Sequence, residues 1–189
     1  MAGQKEKYVF IDRDGVINKD GEGWTEYGYI TTWEDFKFLP GVLEAFRELE
    51  EAGYRSVVIS NQKCVGRGIM TLSRLQEITD NMKKAVSEAG GSIHGVFYCT
   101  HLDEDECLCR KPREGLFLEA AGKFGIKNFT GKYFIGDSER DIAAGKKAGL
   151  GTILVLSGKS SLADIENWEN KPDKVVEGLR DAVRTVLEG

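Results

Sequence analysis

Two aspartates separated by one residue, Asp12 and Asp14, are the residues of this sequence best suited to chemistry. They follow the apolar run Tyr8–Ile11 and precede Gly15, which predicts a buried strand that ends in a tight turn. Two carboxylates this close resist being ionised together unless a cation lies between them or one of them holds a proton. In isolation an Asp-x-Asp-Gly segment is more often a solvated turn, so the interpretation depends on partners elsewhere in the chain.

Such partners follow the other predicted strands. Strands are predicted at Tyr54–Ile59, Ile93–Tyr98 and Tyr133–Ile135, and each is followed, directly or after a polar loop, by side chains that could bind an anion or a metal. Because the carboxyl ends of parallel strands meet at one edge of a sheet, these side chains are expected to form one site with the two aspartates. They are Ser60, Asn61, Arg110, Lys111, Asp137 and Asp141.

Together these groups suit phosphoryl transfer through an aspartyl phosphate. Asp12 would attack phosphorus, and Asp14 would protonate the leaving oxygen and then activate water. A Mg²⁺ ion held by Asp12, Asp137 and a backbone carbonyl near Asp14 would offset the negative charge, with Lys111 supplying a second positive charge. Ser60 would donate a hydrogen bond to the transferring group.

A second metal site is predicted in the loop of residues 99–109. Cys99-x-His101 and Cys107-x-Cys109 offer three thiolates and one imidazole, a closed tetrahedral set typical of structural zinc. The intervening acidic residues 103–106 cannot bury enough apolar surface to order the loop, so the metal must do so. Because Arg110 and Lys111 follow at once, zinc would hold both cations in register with the acids.

The elements that position these groups alternate along the chain. Helices are predicted after Pro40-Gly41, over Thr71–Ala89, Glu114–Phe124 and Asp141–Ala148, and at the C-terminal end; a further strand is predicted at Thr152–Leu156. This alternation predicts an α/β fold with a doubly wound, Rossmann-like parallel sheet, one domain spanning residues 1–189 and no cap domain. Residues 19–39 are expected to be a long substrate-side loop over the acidic pair.

The segment Asp12-Arg13-Asp14-Gly15-Val16-Ile17-Asn18 resembles the first motif of the haloacid dehalogenase (HAD) superfamily. The match, together with the cysteine and histidine pattern and the Cys-Arg-Lys-Pro segment, is similar to the branch of heptose bisphosphate phosphatases and histidinol-phosphate phosphatases. The resemblance runs from Tyr8 to about Ser157. It implies the same roles for the residues named above, with Asp141 holding Lys111 or the metal.

Asn61-Gln62 and Arg67-Gly68 resemble the heptose enzymes more than the histidinol enzymes. The expectation is therefore hydrolysis of the 7-phosphate of D-glycero-D-manno-heptose 1,7-bisphosphate, with Arg110 gripping the remaining phosphate. Ser138 stands where some heptose enzymes have lysine. The candidate substrate-binding residues are Asp20, Asn61, Gln62, Lys63, Arg67, Arg110 and Ser138.

Three other interpretations stay open from the sequence. A histidinol-phosphate phosphatase would share the zinc loop and the acids. A phospho-accepting receiver would also place acids, a hydroxyl and a lysine at strand ends, although its acidic pair is adjacent and its accepting aspartate follows a middle strand. A non-catalytic module stabilised by zinc would release no phosphate and would leave the acids unexplained.

Composition limits the partners. The net charge is −5 and no basic stripe is present, which argues against nucleic acid as a partner. A membrane span would need about 18 consecutive apolar residues, and the sequence contains no such stretch. The polar segment Met1–Lys7 lacks the apolar core of a signal peptide. A small phosphorylated sugar or similar ester, a cytoplasmic location and a monomeric state are therefore expected.

Overall fold

A central parallel sheet organises the computed structural model, which describes residues 7–188 and leaves residues 1–6 and 189 outside the description. The spatial order of the strands is β3-β2-β1-β4-β5-β6, and every pairing is parallel. The strands are β1 (Lys7–Ile11), β2 (Tyr54–Asn61), β3 (Gly95–Cys99), β4 (Tyr133–Gly136), β5 (Gly151–Val155) and β6 (Lys174–Val176).

Helices cover both faces of this sheet, as its apolar strands require. α1, α3 and α7 pack on one face, and α4 and α5 pack on the other. The helices are α1 (Val42–Glu51), α2 (Lys63–Gly66), α3 (Leu72–Glu88), α4 (Gly115–Phe124), α5 (Glu139–Ala148), α6 (Leu162–Ile165) and α7 (Leu179–Glu188). The doubly wound α/β prediction is thereby confirmed.

The first strand is the centre of the core. Its side chains alternate between the two layers: Tyr8 and Phe10 enter the layer under α4, whereas Val9 and Ile11 enter the layer under α1. All four are at most 2% exposed. A strand buried on both faces cannot shift its register without moving apolar side chains, so the end of β1 is a fixed point for the residues that follow it.

Most sequence-predicted elements are present with small shifts at their ends. Thr71 caps α3 as expected, its hydroxyl accepting a hydrogen bond from the Arg74 N–H. α5 starts at Glu139 rather than Asp141, because Ser138 caps it. The short helix α2 was not predicted. Its four residues are too few for a periodic apolar pattern.

The connection between β1 and α1 contains no separate cap domain. Asn18 and Phe38 form an antiparallel bridge that closes residues 19–37 into a loop, and Trp33, Phe36 and Phe38 pack against each other inside it. Among residues 7–188, no helix is both long and apolar enough to cross a membrane. The prediction based on the polar N-terminal segment falls largely on residues 1–6, outside the described residues.

Replacing Phe117 with alanine is expected to lower the free energy of unfolding by about 3–5 kcal/mol, because the change opens a cavity in the core. The Phe117 ring is fully buried and contacts the rings of Phe10, Phe129 and Phe134 at centroid distances of 5.5, 6.4 and 4.9 Å. Urea unfolding measures the effect. Leu118→Ala is the matched control, since Leu118 is 57% exposed and its loss should cost less than about 0.5 kcal/mol.

Candidate active site

The candidate site lies where the direction of strand addition reverses. The chain adds β2 and β3 on one side of β1 and then crosses to place β4 on the other side. Loops diverge at such a switch point and leave a crevice at the carboxyl ends of the strands. Asp12 directly follows β1 and Asp137 directly follows β4, so both line this crevice.

A buried ammonium group connects the acids in the crevice. Lys111 Nζ lies 2.9 Å from Asp12 Oδ1 and 2.7 Å from Asp141 Oδ1, and it also donates to the Ile59 carbonyl at 3.1 Å. The side chain of Lys111 is only 2% exposed, so these partners replace the water that the charge has lost. The sequence predicts Asp141 as a holder of Lys111 or of the metal, and in the structure its Oδ1 contacts the lysine.

The acidic cluster carries more negative charge than the protein neutralises. One ammonium faces the carboxylates of Asp12, Asp137 and Asp141, whose ligand atoms lie within 4.8 Å of one another. Burial raises the pKa of Asp12 to about 7, although Lys111 opposes the rise. Burial and the two neighbouring carboxylates raise the pKa of Asp137 well above its usual range.

These acids fit a divalent cation. Oδ1 of Asp12 accepts from the Arg13 N–H and contacts Lys111, whereas Oδ2 has no hydrogen-bond partner within the part of the chain that the structure describes. Within residues 7–188, Asp137 Oδ2 accepts one hydrogen bond, from the Lys159 N–H. Free carboxylate oxygens with unbalanced charge are the ligands that Mg²⁺ prefers. Asp141 is less available, because Lys111, Ser138 and the Asp137 N–H occupy its oxygens.

Asp14 is held in a different electrostatic environment from Asp12. Its carboxylate accepts from Arg13 NH2 at 2.8 and 3.0 Å, from Asn18 Nδ2 at 2.9 Å and from Gln62 Nε2 at 2.7 Å. Burial opposes ionisation, but the Arg13 charge and these donors outweigh it and hold the pKa of Asp14 below its usual value. The two neighbouring acids therefore differ in protonation behaviour.

The end of β2 supplies side chains with distinct contacts. Ser60 is buried, and its hydroxyl accepts a hydrogen bond from Gln62 Nε2 at 3.0 Å. Asn61 exchanges two hydrogen bonds of 3.1 Å with the backbone N–H and C=O of Lys111. Gln62 thus orients Asp14 and Ser60, while Asn61 fixes the segment that carries the lysine.

The predicted zinc ligands converge. Cys99 Sγ lies 3.6 Å from both Cys107 Sγ and His101 Nδ1, Cys109 Sγ lies 3.5 Å from Cys107 Sγ, and His101 Nδ1 lies 3.3 Å from Cys109 Sγ. A tetrahedral zinc ion with Zn–S of about 2.3 Å and Zn–N of about 2.0 Å requires ligand atoms about 3.5–3.8 Å apart. The four side chains therefore fit zinc.

The zinc loop also positions Arg110. The side chain of Arg110 is 6% exposed, its Nε lies 2.5 Å from Asp103 Oδ1, and its NH1 donates to the His101 carbonyl at 3.4 Å. Its NH2 group is buried and has no partner among the described residues. Lys63 Nζ lies 3.8 Å from the same Asp103 carboxylate. Lys63 and Arg110 both line the crevice.

The remaining predicted residues divide between the crevice and its rim. Asp20 and Ser138 line the crevice, but Asp20 pairs with Lys159 and the Ser138 hydroxyl donates to Asp141 at 2.5 Å. Arg67 is not among the lining residues; its NH1 donates to the Tyr29 hydroxyl at 2.9 Å and so supports the loop above the site. Within residues 19–39, Asp20, Gly21 and residues 28–30 line the same crevice as the acids.

Three cationic residues of the site were missed from the sequence. Arg13 pairs with Asp14, and Arg140 and Lys159 line the crevice. Lys159 follows β5 and could have been found by applying the strand-end argument to that strand. The sequence gives less indication of a role for Arg13, because a cation between two acids is equally typical of a solvated turn.

Comparisons with known proteins agree with this geometry. A family model described as HAD-hydrolase-like matches residues 108–182. A D-glycero-beta-D-manno-heptose-1,7-bisphosphate 7-phosphatase of Haemophilus ducreyi is 34% identical over 186 residues, covering 94% of this chain and 97% of the relative. A protein of the same name from Vibrio cholerae is 35% identical over 187 residues and covers 95% of both chains.

Solved structures give the same result. The D,D-heptose 1,7-bisphosphate phosphatase of B. bronchiseptica, complexed with magnesium and phosphate, superposes with a TM-score of 0.86 at 31% identity, covering 96% of this chain and 98% of that one. The enzyme of the same name from Burkholderia thailandensis gives a TM-score of 0.71 at 30% identity, with coverage of 97% and 100%. The chain belongs to the HAD-like hydrolases, in the branch formed by the heptose bisphosphate phosphatases.

Proposed function

We propose that the chain hydrolyses the 7-phosphate of D-glycero-D-manno-heptose 1,7-bisphosphate through an aspartyl phosphate on Asp12. The observation that carries the proposal is the carboxylate of Asp12 at the switch point, with one oxygen on Lys111 and the other without a partner among residues 7–188. An anionic nucleophile can approach a phosphate only where cations offset both charges. The relatives, similar over nearly their whole length, support the same substrate.

The first step transfers the phosphoryl group to the protein. One carboxylate oxygen of Asp12 forms a bond to phosphorus while the bond from phosphorus to the sugar oxygen breaks, and the other oxygen of Asp12 keeps its contacts with cations. Asp14 gives a proton to that oxygen, so the sugar leaves as an alcohol. Arg13 favours the ionised form of Asp14 in the free protein, so Asp14 must first take up a proton from solvent, and the negative charge of the approaching phosphate favours that uptake.

The second step returns Asp12 to its starting form. Asp14 takes a proton from a water molecule, whose oxygen attacks phosphorus and displaces the Asp12 carboxylate. The donors on Asp14 favour the ionised form that this step requires. Lys111, whose three N–H groups contact Asp12, Asp141 and the Ile59 carbonyl, would supply positive charge to the phosphoryl group in both steps. The Ser60 hydroxyl, which accepts from Gln62, would donate to a phosphoryl oxygen.

Asp12, Asp137 and the backbone near Asp14 would hold Mg²⁺, which supplies positive charge to the phosphoryl oxygens when it is bound. The cluster of Asp12, Asp137 and Asp141 around the single ammonium group of Lys111 supports this assignment. The magnesium and phosphate in the B. bronchiseptica relative support it as well. A structural zinc ion would occupy the site of Cys99, His101, Cys107 and Cys109.

The remaining expectations from the sequence stay predictions: a cytoplasmic location, a monomeric state, one domain over residues 1–189 and no nucleic-acid or membrane partner. An enzyme is favoured over a receiver or a non-catalytic module because the relatives are named as phosphatases.

Phosphate release tests the proposal directly. With Mg²⁺, the wild-type chain should release phosphate from heptose 1,7-bisphosphate with a higher kcat/KM than from histidinol phosphate, and Asp12→Asn should release none above background. Stoichiometric loss of the 7-phosphate, read by ³¹P NMR, identifies the bond that breaks. Preference for histidinol phosphate, or release that is independent of Asp12, would contradict the proposal.

Arg110→Ala should lower kcat/KM for the bisphosphate about 10- to 100-fold, because a charge-assisted hydrogen bond contributes about 1.5–3 kcal/mol. The unpartnered NH2 group of Arg110 supports a role in gripping the second phosphate. With heptose 7-phosphate, which lacks that phosphate, the same variant should differ from wild type by less than about threefold. Arg184→Ala removes an exposed cation on α7 and serves as the control. An equal decrease in kcat/KM for both substrates would show that Arg110 does not bind the second phosphate.

Metal analysis tests the zinc site. The purified chain should contain about one zinc ion per molecule, as a closed tetrahedral set requires. Cys109→Ser should lose that zinc and most of its activity, because Arg110 and Lys111 follow the loop directly. Cys64→Ala, which changes a buried cysteine outside the cluster, should keep the zinc. A zinc-free preparation with full activity would rule out this role for the loop.

A further inference from the structure

The segment after β5 packs its backbone against the candidate active site. The Ser157 hydroxyl donates to the Gly15 carbonyl at 2.9 Å, and the Lys159 N–H donates to Asp137 Oδ2 at 2.9 Å. Gly158 lies between them, and a Cβ atom at that position would overlap the Asp137 carboxylate. The backbone of residues 157–159 therefore fixes one oxygen of Asp137.

The side chain of Lys159 reaches the other wall of the crevice. Its Nζ lies 3.2 Å from Asp20 Oδ2 and 3.7 Å from Glu22 Oε2. Asp20 is near the start of the substrate-side loop, and its side chain is 21% exposed. One residue thus contacts an acid of the site through its backbone and the substrate-side loop through its side chain.

The contact at Asp20 extends to the loop residues over the crevice. The Thr25 hydroxyl is 2.9 Å from the Gly21 carbonyl and 3.0 Å from the Tyr29 carbonyl, which ties the two sides of the loop together. Gly21 packs so closely on the Tyr29 backbone that a Cβ atom there would overlap it. Hydrogen bonds and backbone packing therefore hold the two sides of residues 20–29 together, so a restraint on Asp20 also restrains Tyr29.

We propose that Lys159 is a positioning residue that couples the substrate-side loop to Asp137. Its N–H orients Asp137, and its ammonium group holds Asp20 and thereby residues 20–29 over the crevice. The effect of this coupling on turnover rests on the proposed phosphatase function. The effect on the loop itself does not.

A direct role for Lys159 as a ligand of the substrate phosphate makes a different prediction. In that case Asp20 would compete with the phosphate for the ammonium group, so neutralising Asp20 would improve binding. If Lys159 instead positions the loop, neutralising either partner should weaken binding. The sign of the change in Asp20→Asn separates the two roles.

The variants for the test are Lys159→Met, Asp20→Asn and the double variant, with Lys147→Met as a control for loss of an exposed lysine. Methionine keeps the length of the side chain, and the backbone N–H to Asp137 is retained. Because loss of a partly exposed ion pair has a modest effect, each single variant should raise KM for the bisphosphate by about twofold to fivefold. Their kcat values should change less than about twofold. The KM of the double variant should not exceed the higher of the two single-variant values, because both substitutions remove the same interaction.

Hydrogen exchange of the free protein supplies a readout that does not depend on activity. Amides in residues 20–29 should exchange about threefold to fivefold faster in Lys159→Met and in Asp20→Asn than in wild type, while Lys147→Met should match wild type. Unchanged exchange in both variants, or a lower KM in Asp20→Asn, would overturn the proposal. If the wild-type chain releases no phosphate from any ester, the proposed function fails, and the exchange measurement still decides whether Lys159 restrains the loop.

Discussion

The site depends on one buried interaction, the contact of the Lys111 ammonium with Asp12 and Asp141. Removing a cation from water costs several kcal/mol, and the loss is offset only when every donor finds a partner. Asp12, Asp141 and the Ile59 carbonyl supply those partners from the ends of three different elements. The lysine therefore fixes the relative positions of β1, β2 and α5 at the switch point, and Asp12, the proposed nucleophile, is one of the groups it contacts.

A second cation allows the neighbouring acid to behave differently. Arg13 pairs with Asp14 rather than with Asp12, so each of the two adjacent acids has its own positive partner. Burial raises the pKa of Asp12, whereas Arg13 and its amide neighbours lower the pKa of Asp14 despite burial. The proposed roles therefore require both pKa values to change when the site is occupied. Cations beside Asp12 must favour its ionised form, and the approaching phosphate must favour protonation of Asp14.

Much of this arrangement follows from the sequence, because strand ends are visible as breaks between apolar and polar residues. That pattern predicts Asp12, Lys111 and Asp137 at one edge of the sheet. It could not assign the partner of Arg13 or the contacts of Lys159, since these depend on side-chain rotamers and on how separate loops meet. Asn61 is a similar case: its position was predicted, but its two bonds to the Lys111 backbone were not.

Chemistry and substrate choice rest on interactions of different strength. Asp12 and Asp137 directly follow the buried strands β1 and β4, and Lys111 and Asp141 are buried beside them. The residues over the crevice belong to loops held by partly exposed pairs, such as Lys159 with Asp20 and Lys63 with Asp103. Such pairs contribute about 0–1 kcal/mol each, so a loop can change its contacts at little cost to the fold. Substitutions in these loops can therefore alter the preferred ester while the phosphoryl-transfer groups stay in place.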